Sequence, residues 1–162
     1  MGSGKTTYGK LMAKELDLTF VDLDIFMENK HQKSISQIFE EVGEEGFRKM
    51  EKDALHEVSL LENVLIATGG GTPCSFDNME FMNANGDTIY MRTSVRELRD
   101  RLKMSKSKRP LLTGKSLREL EDFIAEHLEK REIFYLKSKY ILDTDDLNPN
   151  NIKSHFLELL EV

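Results

Sequence analysis

The first seven residues combine glycine, lysine and hydroxyl side chains in an order that suits a phosphate chain. Residues 2–7 read Gly-Ser-Gly-Lys-Thr-Thr, the second half of the phosphate-binding pattern G-x-x-x-x-G-K-S/T. Glycines let backbone N–H groups converge on one anion, and the N-terminus of a following helix adds about half a positive charge. Lys5 would reach the outer phosphates, and the Thr6 hydroxyl suits Mg²⁺, which prefers oxygen ligands. The segment predicts a nucleotide site; a solvated N-terminal tail is the alternative.

Two further polar groups each follow a short apolar run that is typical of a buried strand. Asp22 and Asp24 follow residues 18–21, and three consecutive glycines at 69–71 follow residues 64–67. In an open parallel sheet, ligands bind beyond the carboxyl ends of the strands. The phosphate loop, the aspartates and the glycines are therefore predicted at one edge of a sheet. The alternative for the pair Asp22 and Asp24 is a helix N-cap, since Asp24 also precedes an apparent helix.

The elements that must position these groups alternate between strands and helices along the chain. We predict strands at 18–21, 64–67, 88–91 and 140–142, and helices from the loop to about 16, at 34–42, 45–61, 76–84, from 94, at 116–137 and from 148. Ser34, Ser94 and Ser116 each precede Gln or Glu by three residues, which is the capping-box pattern. This alternation predicts an α/β protein with a parallel sheet covered on both faces.

Composition narrows the class of protein. The chain has 162 residues, enough for one domain, and a formal net charge of −6, which argues against a nucleic-acid partner. We find no signal peptide and no apolar run near the roughly 20 residues that a membrane helix needs. The single cysteine excludes an internal disulfide and fits a reducing compartment. We therefore expect a cytoplasmic monomer without a membrane partner.

Six motifs, taken in order, resemble the shikimate kinase family, P-loop proteins akin to nucleoside-monophosphate kinases. They are residues 2–7, Asp22-x-Asp24, Phe47-Arg48-x-x-Glu51, Thr68-Gly-Gly-Gly71, Arg109-Pro110-Leu111-Leu112 and Arg131-x-x-x-Tyr135. Several are weak alone, but the ordered set is specific and extends from Gly2 to Tyr135. The resemblance implies a three-layer fold with a five-stranded parallel sheet in the order 2-3-1-4-5. It implies one kinase domain over 1–162, with substrate-binding helices at about 34–61 and a lid at about 104–116.

The same resemblance implies an activity and a set of site residues. The activity is transfer of the γ-phosphate of ATP to the 3-hydroxyl of shikimate, in the biosynthesis of aromatic amino acids. The implied ATP contacts are Gly2, Ser3, Gly4, Lys5, Thr6, Thr7, Arg101 and Arg109. The implied shikimate contacts are Asp24, Arg48, Gly69, Gly70, Gly71 and Arg131. The implied catalytic residues are Lys5, Asp24 and Arg109, and the implied ligands of the Mg²⁺ cofactor are Thr6 and Asp22.

The arginines on the substrate side suit the ring carboxylate of shikimate, because a guanidinium binds a carboxylate through two parallel hydrogen bonds. Arg48 and Arg131 are assigned this work, although either could form a surface ion pair instead. Glu51 lies one helical turn from Arg48 and is expected to fix its guanidinium. These residues predict a clamp for an anionic substrate.

On the phosphate side, transfer depends mainly on positioning and charge neutralisation. Asp24 is expected to accept a hydrogen bond from the attacking hydroxyl, as base or orienting group. Arg109 ends a basic segment, residues 96–109, which suits ATP or is simply a solvated helix face. In a closing lid, Arg109 would meet the γ-phosphate and exclude water. Arg101 is expected to stack on adenine.

The first strand of the five and the first glycine of the loop are missing from this sequence. In the implied strand order the missing strand lies at the centre of the sheet, so its loss would remove an inner layer of core. We therefore expect a natural polypeptide longer by roughly ten or more residues, enough for a strand of ordinary length.

Two other functions use the same observations. A gluconate-type or nucleotide kinase would share the phosphate loop and the core but prefer another acceptor. A nucleotide-binding regulator would bind ATP without turnover. ADP release in the presence of each acceptor separates these possibilities.

Overall fold

The computed structural model describes residues 2–104, 116–148 and 150–160, in which strands alternate with helices. In chain order the elements are α1 (Lys5–Glu15), β1 (Thr19–Asp22), α2 (Leu23–His31), α3 (Ile35–Val58), β2 (Val64–Ala67), a 3₁₀ helix (Thr72–Cys74), α4 (Asn78–Asn85), β3 (Ile89–Arg92), α5 (Val95–Met104), α6 (Leu117–Tyr135), β4 (Tyr140–Asp143) and α7 (Ile152–Leu160). Helices follow each strand, as in parallel α/β proteins. The prediction of an α/β protein is confirmed.

The strands of the described segments form two parallel pairs. β1 lies beside β2, with Thr19 opposite Val64 and Asp22 opposite Ala67. β3 lies beside β4, with Ile89 opposite Tyr140, and this register continues to the ends of both strands. Within each pair, the carboxyl ends therefore lie at the same edge.

The five-stranded sheet expected from the resemblance is not observed among the described strands, which pair only as β1–β2 and β3–β4. A cavity of about 590 Å³ is bordered by Val64–Ala67 of β2 and by residues 89–91 of β3. Apolar side chains also line this cavity, among them Leu16 just after α1, Met79 of α4 and Phe156 of α7. The space between the two pairs is therefore largely apolar.

Three apolar clusters hold these elements together. The first joins α2 to α3 through Leu23, Met27, Ile38, Phe47, Ala54, Leu55 and Val58. The second joins α1, β4 and α7 through Met12, Leu142, Leu147, Ile152 and Phe156. The third joins α5 to α6 through Leu98, Leu102, Leu120 and Ile124. Among the described helices, none is both long and apolar enough to cross a bilayer.

All four predicted strands are present, each within one residue of its expected bounds. The capping boxes at Ser34 and Ser116 form as predicted, and the Ser94 hydroxyl accepts a 3.2 Å hydrogen bond from the Glu97 N–H. The helices predicted at 34–42 and 45–61 lie within α3, which is interrupted at Gly43, where φ is 68° and ψ is −178°. This break places the two halves of α3 in different directions.

Two predicted helix starts were wrong. The helix expected from 76 begins at Asn78, because Phe76 has a left-handed φ of 51° that a helix does not accommodate. The helix expected from 148 begins at Ile152, and Pro149 lies outside the described residues.

Candidate active site

The phosphate loop leads directly into α1, as its sequence predicts. Gly2 and Gly4 have φ angles of 72° and 91°, in the left-handed region that glycine adopts at no steric cost. Gly4 is the N-cap of α1, and no side chain in the described residues caps this helix. The N-terminus of α1 is therefore a suitable place for an anion, because the helix dipole favours negative charge there.

Thr6, in the first turn of α1, is hydrogen-bonded to Asp22 at the end of β1. The Thr6 hydroxyl donates to Asp22 Oδ2 over 3.1 Å, while Asp22 Oδ1 accepts from the N–H groups of Asp24 and Ile25. Asp22 is consequently the N-cap of α2, so the helix cap expected as the alternative role of the acidic pair is present at Asp22 and not at Asp24. The reason is position: Asp24 already lies in the first helical turn.

Asp24 faces the glycine loop from a largely buried position. A Cβ atom added to Gly69 would lie 3.4 Å from Asp24 Oδ1 and 3.1 Å from Glu51 Oε1. Burial raises the pKa of the Asp24 carboxyl, the charges of Asp22 and Glu51 raise it further, and Lys5 opposes them. Lys5 lies at the phosphate loop, so the carboxylate of Asp24 stands between that loop and residues 69–71.

Arg48 is held by a buried carboxylate. Its Nη1 donates to Glu51 Oε2 over 2.7 Å, and Glu51 Oε1 accepts from the Thr72 hydroxyl, also over 2.7 Å. Glu51 is only 1% exposed, so these two donors compensate for the loss of water around its charge. The prediction that Glu51 fixes the guanidinium is confirmed. That guanidinium packs on Gly71, where an added Cβ would lie 2.5 Å from Nη1.

Arg131 reaches the same loop from α6. The Tyr135 hydroxyl donates to Gly70 O over 2.5 Å, and Cys74 Sγ donates to the same oxygen over 3.7 Å. Burial raises the pKa of the Cys74 thiol, and the charges of Arg131 and Arg48 oppose that increase. Burial also raises the pKa of Tyr135 to about 12. The charges of both arginines therefore influence one thiol beside the loop.

The remaining predicted ATP contacts differ in position. Thr7 is exposed in the first turn of α1, and Arg109 lies outside the described residues, as do residues 105–115 of the predicted lid. The guanidinium of Arg101 donates to Ser3 O over 3.2 Å, to Thr144 O over 2.8 Å and to Glu97 Oε1 over 2.8 Å. These bonds all end on protein groups, and the stacking of Arg101 on adenine stays a prediction.

Sequence reasoning missed three residues that shape the site. Tyr135 was part of a matched motif but had no role, although its spacing of four from Arg131 places both on one helix face. Thr72 and Cys74 gave no signal, because their contacts with Glu51 and Gly70 depend on the path of the chain after β2. All three hold the glycine loop or the groups beside it.

The described site contains an anion-binding turn with a lysine, a buried carboxylate of raised pKa and two guanidinium groups around a glycine loop. On this fold, these features define an ATP-dependent phosphotransferase of the P-loop class. A family model described as Shikimate kinase matches residues 1–161. The chain belongs to the shikimate kinase family.

Known relatives agree with this assignment. A shikimate kinase of Parabacteroides distasonis is 54% identical over 147 residues, which cover 91% of this chain and 85% of the relative. A shikimate kinase of Phocaeicola vulgatus is 51% identical, with coverages of 91% and 84%. The crystal structure of shikimate kinase from Bacteroides thetaiotaomicron is 46% identical and superposes with a TM-score of 0.94, covering 100% of this chain and 94% of that chain.

A second solved structure was determined with a ligand. The shikimate kinase from Acinetobacter baumannii, in complex with shikimate, is 31% identical and has a TM-score of 0.86, covering 99% of this chain and 89% of that chain. Family membership makes the present chain an ATP-dependent kinase and transferase that serves aromatic amino acid biosynthesis.

Proposed function

We propose that this chain transfers the γ-phosphate of ATP to the 3-hydroxyl of shikimate, giving shikimate 3-phosphate and ADP. One observation carries the proposal: the Glu51 carboxylate and the glycine loop bring Asp24 and Arg48 to the same place, beside the phosphate loop. This arrangement supports a site where a hydroxyl and a carboxylate of one small substrate are held next to the phosphates of ATP.

On the nucleotide side, the backbone of Gly2, Ser3 and Gly4 would bind the phosphates, together with the first turn of α1 through Thr6 and Thr7. Lys5 would place its charge on the outer phosphates and neutralise charge as the phosphoryl group moves. The left-handed glycines support this role, because they turn the backbone towards an anion. Arg109 stays a predicted lid cation at the γ-phosphate.

The metal site would use oxygen ligands from two elements. The Thr6 hydroxyl and an oxygen of Asp22 lie 3.1 Å apart, and both are hard donors of the kind that Mg²⁺ takes while keeping several waters. Among the described residues, no group of three or more His, Cys, Asp or Glu side chains forms an alternative metal site. When bound, Mg²⁺ would offset negative charge on the phosphates.

On the acceptor side, Asp24 would accept the hydrogen bond of the attacking 3-hydroxyl. Burial raises the pKa of its carboxyl, which makes it a stronger base than an exposed aspartate. Arg48 and Arg131 would bind the ring carboxylate, and residues 69–71 would line the ring. The missing side chains of these glycines let substrate and backbone approach closely.

We further propose that the two strand pairs belong to one parallel sheet within a single kinase domain spanning 1–162. With the missing strand counted as the first of five, its order is 2-3-1-4-5, and β1, β2, β3 and β4 are its second, third, fourth and fifth strands. A further strand would then lie between β2 and β3. The apolar cavity bordered by both strands supports this arrangement, because it exposes two facing strand edges. Helices over 34–61 would serve as the substrate-binding unit and residues 104–116 as the lid.

For the setting of the reaction, we propose a cytoplasmic monomer whose partners are ATP and shikimate, without nucleic acid or membrane. The net charge of −6 supports the absence of nucleic acid, since like charges repel. Sedimentation velocity at several concentrations tests the monomer, and a mass that doubles at higher concentration would contradict it.

A coupled assay of ADP release tests the function directly. We expect ATP turnover that depends on shikimate and is absent with gluconate or with a nucleoside monophosphate at the same concentration. Preference for either competitor would replace the proposed acceptor. ATP binding without turnover, with and without an added upstream strand, would favour the nucleotide-binding regulator instead.

A further inference from the structure

Arg101 joins three parts of the molecule through one guanidinium. It extends from α5 and donates hydrogen bonds to Glu97 Oε1 one turn earlier and to the carbonyl oxygens of Ser3 and Thr144. Ser3 belongs to the phosphate loop and is 8% exposed. A planar guanidinium with donors on both sides can bridge two carbonyls in this way, whereas an ammonium cannot reproduce the fork.

The far end of this bridge is firmly anchored. Thr144 follows β4 and is completely buried. Its hydroxyl is hydrogen-bonded to that of Thr93 over 2.5 Å, and its N–H donates to Arg92 O over 2.8 Å. Thr144 is therefore tied to the carboxyl end of β3, so Arg101 links the phosphate loop to a fixed point of the β3–β4 pair.

The bond to Ser3 O has a direct consequence for anion binding. In a trans peptide, the carbonyl of one residue and the N–H of the next point in opposite directions. Holding Ser3 O on the side of Arg101 therefore directs the Gly4 N–H to the other side of the same peptide plane. Gly4 itself has a left-handed φ of 91°, which glycine adopts without steric cost.

Arg99, two residues earlier on the same helix, provides a natural comparison. Its guanidinium pairs with the carboxylates of Asp100 and Glu121. The exposed fractions of the two arginine side chains are nearly equal, 20% for Arg99 and 22% for Arg101. The two residues therefore have the same charge, lie on the same helix and are similarly buried, but their guanidinium groups have different partners.

We infer that Arg101 is a positioning residue that orients the Ser3–Gly4 peptide for phosphate binding. The inference rests on the proposed ATP site but not on the identity of the acceptor. The positioning role of Arg101 concerns the triphosphate alone, whereas stacking requires the adenine base.

The test compares Arg101→Gln with Arg99→Gln, using ATP and inorganic tripolyphosphate as ligands in the presence of Mg²⁺. We expect Arg101→Gln to raise the Kd of both ligands by the same factor, about tenfold, as for loss of one charge-assisted hydrogen bond. Arg99→Gln should change either Kd less than about twofold. Isothermal titration calorimetry gives the Kd values, and thermal unfolding of each variant reports stability.

Three results would overturn the inference. The first is weaker binding of ATP but not of tripolyphosphate, which indicates adenine stacking. The second is an equal loss of affinity in Arg101→Gln and Arg99→Gln. The third is failure of the parent chain to bind tripolyphosphate. Arg101→Lys separates geometry from charge: it should resemble Arg101→Gln, and parental affinity would show that charge alone matters.

Steady-state kinetics adds a readout that general destabilisation does not predict. Arg101→Gln should raise KM for ATP about tenfold and leave KM for shikimate within about twofold of the parental value. An equal increase in both constants would overturn the positioning role. A parent that binds tripolyphosphate but does not phosphorylate shikimate would refute the proposed function and leave the binding result for Arg101 intact.

Discussion

Asp24 is a single residue at which folding stability and catalysis have opposite requirements. Its carboxyl is largely buried, and the charges of Asp22 and Glu51 stand nearby. Since folding raises its pKa, this group stabilises the folded state below pH 3.8 and that contribution is lost as the pH rises through the raised pKa. In its ionised form, Asp24 therefore costs folding stability, and the proposed base role explains why a carboxyl is present there.

Asp24→Asn should reduce kcat by about 10²–10⁴-fold, as expected for loss of a general base. The same substitution should increase thermal stability at pH 7, because it removes a buried charge without changing shape. The gain should shrink as the pH falls towards 3, where the parental carboxyl is protonated. Coupled kinetics and melting curves at several pH values measure both effects.

The pH profile of the parent gives a second readout. Activity should fall on the acid side at a higher pH than for an ordinary aspartate, because Asp24 must be ionised to accept a proton. Parental kcat in Asp24→Asn, or a variant less stable than the parent at pH 7, would contradict this account.

Arg131 allows a test of the carboxylate clamp that Arg48 does not. Removing Arg48 would leave the buried Glu51 charge without its guanidinium, which by itself destabilises the fold. Arg131→Ala should raise KM for shikimate by about tenfold or more and change KM for ATP little, as for loss of a charged hydrogen bond. Initial rates over a range of both substrates measure the two constants.

Lys130→Ala is the matched control, because Lys130 is the preceding residue of α6, is exposed and pairs with Glu126 on the surface. It should retain the parental constants, since surface pairs contribute little. An Arg131→Ala enzyme with the parental KM for shikimate would remove Arg131 from the clamp.

At the scale of elements, the glycine loop after β2 sets where Arg48 can lie. An added Cβ at Gly71 would be 2.5–2.7 Å from three atoms of the Arg48 guanidinium, while its φ of −89° accepts any residue. The clash is therefore with the clamp and not with the backbone. Gly71→Ala should displace Arg48 and raise KM for shikimate by about tenfold to a hundredfold.

Gly86→Ala provides the control for the element, because nothing lies within 4 Å of its added Cβ and its backbone is extended, with φ of −174°. This variant should keep the parental kinetics and stability. If Gly71→Ala also kept the parental KM, the packing of Arg48 on the loop would have no role in substrate binding. Kinetics and thermal melting of both variants decide the matter.

At the scale of the whole molecule, the proposed five-stranded sheet makes a prediction about stability. An apolar strand added ahead of Gly2 should occupy the cavity between β2 and β3 and pair with both edges. In a chain of this size, each 1 kcal/mol gained corresponds to an increase of about 2–4 °C in Tm. We therefore expect a clear increase in Tm and in shikimate-dependent turnover.

The control is an extension of the same length made of glycine and serine, which cannot fill an apolar cavity. It should leave Tm unchanged. Equal effects of the two extensions would contradict a strand site in the cavity, and would leave the two strand pairs as separate sheets.

Local patterns were sufficient for much of this molecule. The short apolar runs became strands within one residue of their expected positions, and Ser34 and Ser116 capped the helices that their spacing indicated. These features depend on residues a few positions apart, so their energetics are contained in the local sequence. The family and the pairing of Arg48 with Glu51 were also predictable, the latter because three residues span one helical turn.

Tertiary structure decided which distant groups share a hydrogen bond. The Thr6 hydroxyl bonds to Asp22, Tyr135 and Cys74 meet at Gly70 O, and Arg101 bonds to Ser3 O and Thr144 O. The last two sets join residues far apart in sequence, so no local pattern contains them. The sequence by itself determined the class of chemistry through residue types and spacing. Only the packing of helices against the strand ends decided the contacts, because donor and acceptor must come within about 3 Å.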